Sequence, residues 1–299
     1  MTHVANFDSL MERVNAGERL APAELAELAA TPDILSLGML ADGVRRRLHD
    51  TSVTYVRVAT CAFDEPFAEK VLPVAREVRL TGTPDSLEAA VTAVRQAKAV
   101  AGDRAVSGFS WSVVEALSRN DGTVSRVLEE LRNAGLDALA QLSLDEMPDP
   151  PAAIERVVAA GFDRLRLTIE KAPAAERAKL FVLASDLQQR VKCVQALSPL
   201  PLSLTAFRPT TGYDDVKMVA IARLAAPDIA TVQVDWARYG PKLAQVALTF
   251  GADDLDAVGQ SDDAPDGRRR APLEEVRRNI EAAGFTPTER DGRFAVVAE

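Results

Sequence analysis

The sequence predicts an α/β chain built as a TIM-like (β/α)8 barrel, preceded by N-terminal helices and followed by a C-terminal helix and strand. Three observations lead there. From residue 53 onward, short β-branched runs alternate with helical stretches eight times, as parallel strands joined by crossover helices do. The 299 residues are 47% hydrophobic and 26% charged, an ordinary globular composition with length for a sizeable core. No internal repeat or low-complexity tract interrupts the alternation. A doubly wound open sheet is the alternative.

The elements follow in order. Phe7, Leu10, Met11 and Val14 stand at helical spacing over 7–16. Pro22 suits the first turn of a second helix, and 31–48 makes a third. Residues 53–58 (Val-Thr-Tyr-Val-Arg-Val) read as the first strand. A helix is expected over 65–75, a strand over 77–80, a helix over 84–97 and a strand over 105–109. Helices over 111–118 and 124–134 follow, the latter stopped by Gly135. The fourth strand is 137–142, and Pro150-Pro151 opens a helix to Gly161. Polar and apolar residues alternate over 163–169, the fifth strand, before a helix over 174–189. The sixth strand is 191–197 or 202–207, or both. A helix over 213–224, a strand over 231–235 and a helix over 241–248 come next, and 249–253 leads to the eighth strand. The polar run 261–270 reads as a loop, 273–283 as a helix and 294–297 as a terminal strand. The layout expected is a helical segment over 1–50, a barrel over 51–256 and an extension over 257–299, in one compact domain.

The net charge of -9 argues against nucleic acid and anionic membranes as partners. The first residues lack the basic and apolar regions of a signal peptide, and no apolar run nears the ~18 residues that span a bilayer. A cytoplasmic location is expected. Two cysteines, Cys61 and Cys193, and two histidines, His3 and His49, supply little for metal or histidine chemistry, so no metal site is expected.

Three segments carry a resemblance: Thr211-Gly212-Tyr213-Asp214-Asp215-Val216-Lys217, Val232 to Gln245 with Asp235-Trp236 and Tyr239-Gly240-Pro241-Lys242, and Phe250-Gly251-Ala252-Asp253-Asp254-Leu255-Asp256. They resemble the radical S-adenosylmethionine family of aminofutalosine synthase, dehypoxanthine futalosine cyclase and the FO synthases. The resemblance implies a radical-type barrel and a link to menaquinone biosynthesis by the futalosine route. The departures fall on the family's chemistry. Its C-x-x-x-C-x-x-C cluster motif is matched only by Cys61, followed by Ala62-Phe63; the other two positions hold Thr54 and Val58. Its Gly-Gly-Gly-Ala-Glu stretch is matched by Gln141 to Asp145, and its Phe-His-Pro turn by Phe207-Arg208-Pro209. A four-iron cluster needs about three or four thiolates, so neither a cluster nor S-adenosylmethionine is expected.

The sequence therefore predicts a pseudoenzyme: a non-catalytic protein that binds a pathway metabolite or docks on a menaquinone-pathway enzyme. The alternative is a non-radical enzyme acting on a small polar aromatic or carboxylate metabolite in the barrel mouth. Homo-oligomerisation stays open. Catalytic residues are not assigned. Arg208 offers donors to a carboxylate, and Tyr213 starts a helix that keeps the family's sequence. Asp235 could accept a hydrogen bond while Trp236 stacks on a ring; a packed rim tryptophan is the plain alternative. Lys242 could hold an anion at a helix start. Asp253 and Asp254, with Asp256, are read as following the eighth strand, where they could orient a polar ligand or Mg2+; helix capping is the plain alternative. Asp145-Glu146 and Glu170-Lys171 are general acid or base candidates, or ordinary loop residues.

Overall fold

The computed structural model describes residues 7–201, 212–261 and 272–297. Helices α1 (Phe7–Ala16), α2 (Pro22–Ala30) and α3 (Ile34–His49) lead into β1 (Ser52–Ala62). Next come α4 (Phe67–Lys70), β2 (Glu77–Thr81), α5 (Leu87–Ala101), β3 (Ala105–Ser110), α6 (Trp111–Asp121), α7 (Val124–Ala134) and β4 (Ala138–Ser143). The chain continues through α8 (Pro150–Ala159), β5 (Leu165–Ile169), α9 (Ala174–Val191), β6 (Val194–Pro199), α10 (Tyr213–Ala225) and β7 (Thr231–Asp235). It ends with α11 (Trp236–Leu248), β8 (Asp254–Gly259), α12 (Pro272–Ala282) and β9 (Thr286–Glu289).

Strands β1 to β8 pair in sequence order, all parallel, and β1 also pairs with β2. The sheet therefore closes, and the (β/α)8 barrel rather than the open sheet is observed. Helix starts are set by local chemistry: Ser86, Ser110, Thr123 and Asp149 each accept the backbone N–H three residues on, satisfying a donor the helix leaves free. Among the described residues, no helix is long and apolar enough to cross a membrane.

The barrel interior is charged. In β2, Val78 and Leu80 join the hydrophobic core, while Glu77 and Arg79 bond to β5 and β8, which are not neighbours of β2. Those bonds must cross the axis, so the polar face of β2 points inward. The N-terminal helices pack outside, α3 against α10 and α1 against α3.

The C-terminal extension belongs to the sheet. β9 runs parallel to the first residues of β1, Ser52 opposite Thr286 through Tyr55 opposite Glu289. β2 joins β1 only from Val58 onward, so β9 fills the lower gap between them. The next residues close the barrel floor: the Gly292 carbonyl accepts from Arg166 (2.8 Å), and the Phe294 ring lies 4.0 Å from Arg290 and 5.3 Å from Arg166.

Several expectations change. The helix expected over 65–75 is only the single turn α4, and Pro73, lacking an N–H, cannot extend it. The terminal strand lies at 286–289, not 294–297, because Phe294 turns in with φ 65° to stack on arginines. The sixth strand is Val194–Pro199; residues 202–207 lie outside the described residues, as do Arg208, His3 and the run 262–271. Asp254 begins β8 rather than following it, since Gly251 (φ 98°) turns the chain just before. The barrel thus runs to Gly259, past the expected boundary at 256.

Candidate functional site at the barrel mouth

The C-terminal ends of the strands open into a cavity of about 360 Å³, within the range of small-molecule sites. Its depth is set by ion pairs. Glu77 accepts from Arg166 (2.8 and 2.8 Å), from Arg79 (2.7 and 3.0 Å) and from Ser107 (2.5 Å). Arg79 also forks onto Asp256 (2.8 and 2.8 Å). Deeper still, Arg290 grips Asp254 (2.5 and 2.7 Å), which accepts further from Gln233 and Thr54. Three carboxylates and three guanidiniums thus neutralise one another. Burial pushes Glu77 and Asp256 up, but the facing arginines outweigh it and hold both carboxyls below their usual range.

A β-bulge aims Asp256. Leu255 and Val258 stand opposite Tyr55 and Arg57, so β8 carries one extra residue, and Ala257 takes φ 57°. Arg79 and Asp256 form part of the cavity wall, with Gln233, Ser198, Thr168 and Gln141 around them. Ser110, Ser112, Leu200 and Phe109 form another part. Phe109 has φ 58°, a strained conformation for a bulky residue.

Asp235 ends β7 and lines the mouth. Its Oδ1 accepts the Arg238 N–H at 2.9 Å, capping α11. Burial, reinforced by Asp256, pushes its carboxyl above the usual range. Arg238 lines the cavity and donates to Glu170 at 2.7 Å. Gln141 also reaches the mouth.

The other sequence candidates sit elsewhere. Asp253 and Asp254 belong to the barrel floor: Asp253 accepts from Arg223 and from the Val232 N–H (2.8 Å). With Arg79, Arg290 and Arg223 bound to the three aspartates, the trio is structural rather than an open Mg2+ site. Trp236 is buried and does not line the mouth. Tyr213 donates to the Pro32 carbonyl (2.9 Å), docking α10 on the N-terminal helices. Lys242 is exposed beyond a kink at Gly240-Pro241. Asp145 is tied to its loop, its Oδ2 accepting the N–H groups of Glu170, Lys171 and Ala172 (2.5–3.0 Å). Glu146 pairs with Lys171.

Thr54, Val58 and Cys61 all lie within β1. At about 3.3 Å per residue, Thr54 and Cys61 are roughly 23 Å apart along the strand. Cys61 is buried, and burial pushes its thiol up. Cys193 precedes β6, at the opposite end of the barrel. Among the described residues, no three His, Cys, Asp or Glu side chains are grouped to hold a metal ion.

Sequence reasoning missed Glu77, Arg79, Arg166 and Arg290. The signal was charge alternating with apolar residues in Glu77-Val78-Arg79-Leu80 and Arg164-Leu165-Arg166-Leu167. In a closed barrel, such alternation places the charges on the axis.

Comparison with known proteins fits this architecture. Residues 203–298 match the family described as the CofH/MqnC C-terminal region. The chain is 29% identical over 223 residues to the 5-amino-6-(D-ribitylamino)uracil--L-tyrosine 4-hydroxyphenyl transferase of Archaeoglobus fulgidus, covering 64% of this chain and 65% of that enzyme. It is 24% identical to the cyclic dehypoxanthine futalosine synthase of Streptomyces coelicolor, over 97% of this chain and 88% of the relative. It is 26% identical to the aminodeoxyfutalosine synthase of Thermus thermophilus, over 96% and 95%. In structure, it superposes on the FeFe-hydrogenase maturase HydG from Carboxydothermus hydrogenoformans with TM-score 0.68 at 13% identity, covering 96% of this chain and 80% of that one. That likeness speaks for the fold alone. The C-terminal part of the chain thus matches the CofH/MqnC C-terminal region, and the chain as a whole is similar in sequence to a cyclic dehypoxanthine futalosine synthase and an aminodeoxyfutalosine synthase, on a (β/α)8 barrel that superposes on that of HydG.

Proposed function

We propose that this protein binds a small polar molecule in the barrel mouth without radical S-adenosylmethionine chemistry. The observation that carries the reading is the mouth itself: an open cavity walled by hydroxyls, amides and self-neutralised ion pairs, with neither of the chain's two cysteines among its lining residues. The donor set does not fit a four-iron cluster, which takes about three or four thiolates. Cys61 is buried with its thiol pushed up, and Cys193 is at the other end of the barrel. No step is therefore derived through a cluster.

What the mouth offers is recognition. Ser110, Ser112 and Gln141 present hydrogen-bonding groups, and Phe109, Leu200 and Val113 add apolar wall. A polar aromatic metabolite of the futalosine route suits these walls. Binding could serve a pathway enzyme as partner. A second reading, a non-radical enzyme, is favoured by Asp235: a rim carboxyl raised by burial and by Asp256 is suited to moving a proton.

Anaerobic reconstitution with iron and sulfide tests the first reading. The expected result is a colourless protein with less than about one iron per chain and no S-adenosylmethionine cleavage under reducing conditions. About four irons per chain with cleavage would overturn it. Thermal-shift screening of futalosine-route metabolites, repeated on Gln141→Leu, tests the mouth: a ligand that stabilises the wild type should lose its effect in the variant.

A further inference from the structure

A second cavity lies outside the barrel, between α2, α9 and α10, with a volume of about 470 Å³. Its walls are small and apolar: Ala26 and Ala29 from α2, Ala174, Ala178 and Val182 from α9, and Met218 from α10. Short side chains leave open a space that interdigitating side chains would otherwise fill.

One charge is set into this apolar wall. Lys217 is only 8% exposed, and its Nζ donates to the Thr31 carbonyl at 2.7 Å. Among the described residues no carboxylate lies within ion-pair distance of it; Asp214, three residues earlier at the rim, attracts it only from farther away. Burial accordingly pulls the Lys217 ammonium below its usual range. An ammonium has three donors; Thr31, the C-cap of α2, takes one of them, and burial of a charge with its other donors unpaired is unfavourable. A second cation, Lys179, stands exposed at the rim. No side chain caps the start of α9 at Pro173, beside Ala174.

An apolar trough with a buried ammonium, one of whose three donors has a partner, suits an anion carried on an aliphatic body. We propose that the groove between α2, α9 and α10 is a binding site for an aliphatic monocarboxylate, with the chain along the alanine walls and the carboxylate on Lys217. The site is separate from the barrel mouth and stands whether or not the mouth binds a metabolite.

Octanoate is the probe, and titration calorimetry on the full chain is the measurement. Wild type should bind octanoate and bind 1-octanol much more weakly. Lys217→Met should weaken octanoate about 10- to 100-fold, the loss of a charged hydrogen bond. Ala178→Leu, which fills the trough without touching the charge, should abolish binding while circular dichroism and the melting temperature confirm the fold. The proposal is overturned by no binding to the wild type at millimolar octanoate, by equal affinity for octanol, or by folded variants that bind as tightly as the wild type.

Discussion

Glu77→Gln isolates the charge network that holds the barrel interior together. Glu77 is fully buried and accepts five hydrogen bonds: two from Arg166, two from Arg79 and one from Ser107. Arg79 keeps Asp256 when that charge is removed. Arg166 does not; its one other acceptor among the described residues is the Gly292 carbonyl. The substitution therefore strands a guanidinium inside the barrel while changing almost no volume. Removing one partner of a buried pair costs about 3–5 kcal/mol. At roughly 2 °C per kcal/mol for a chain of this size, the melting temperature at pH 7 should fall by roughly 6–10 °C. Calorimetry on wild type, Glu77→Gln and the double variant Glu77→Gln/Arg166→Met checks this. The double variant removes the stranded charge and should recover more than half of the loss. A single variant melting within about 1 °C of wild type, or a double variant no better than the single, would refute the assignment.

Other expectations follow from the same geometry. Gly251→Ala should destabilise by about 1–3 kcal/mol in urea titration, because Gly251 has φ 98° and an added Cβ would lie 3.0 Å from the side chains of Ala41 and Arg223. Asp235→Asn keeps the cap on α11 and removes a carboxylate that burial and Asp256 disfavour. A raised carboxyl weighs against folding above its unfolded pKa, so the variant should melt higher than wild type at pH 7 and match it near pH 3. The carboxyls of Glu77, Asp256 and Glu289 are held low; for Glu289 burial is outweighed by Arg76 and Arg57. Their contribution is present above the unfolded carboxylate pKa of about 4 and fades as pH falls below it. Melting temperature should therefore drop steeply on acidification from pH 5 to pH 3. Thiol titration should find Cys193 reactive in the native state and Cys61 protected until unfolding, since Cys193 is half-buried and Cys61 buried.

The sequence by itself determined the order of elements and the barrel. Strand and helix preferences are local, set by β-branched runs, apolar spacing and caps such as Asp149 and Ser110. Parallel strands alternating with helices leave few ways to close. Asp235 was legible at the mouth because it ends a strand whose direction was known, whereas Gln141, two residues before the end of β4, was singled out only through the family resemblance. The placement of Asp253, Asp254 and Asp256 was not legible. Gly251 places its turn ahead of Asp254, and that one shift moved the acidic residues from the rim to the floor and interior. Most of the family-like segment 250–256 turned out to be a floor, with Arg223 bound to the Gly251 carbonyl and to Asp253, and only Asp256 reaches the mouth cavity. Tertiary structure alone decided the ion pairs. Glu77 and Arg166 are 89 residues apart, and Arg290 and Asp254 are 36 apart. Which guanidinium meets which carboxylate depends on how the closed sheet registers across its axis and on β9 entering beside β1. Both are long-range outcomes that no local pattern of residues encodes.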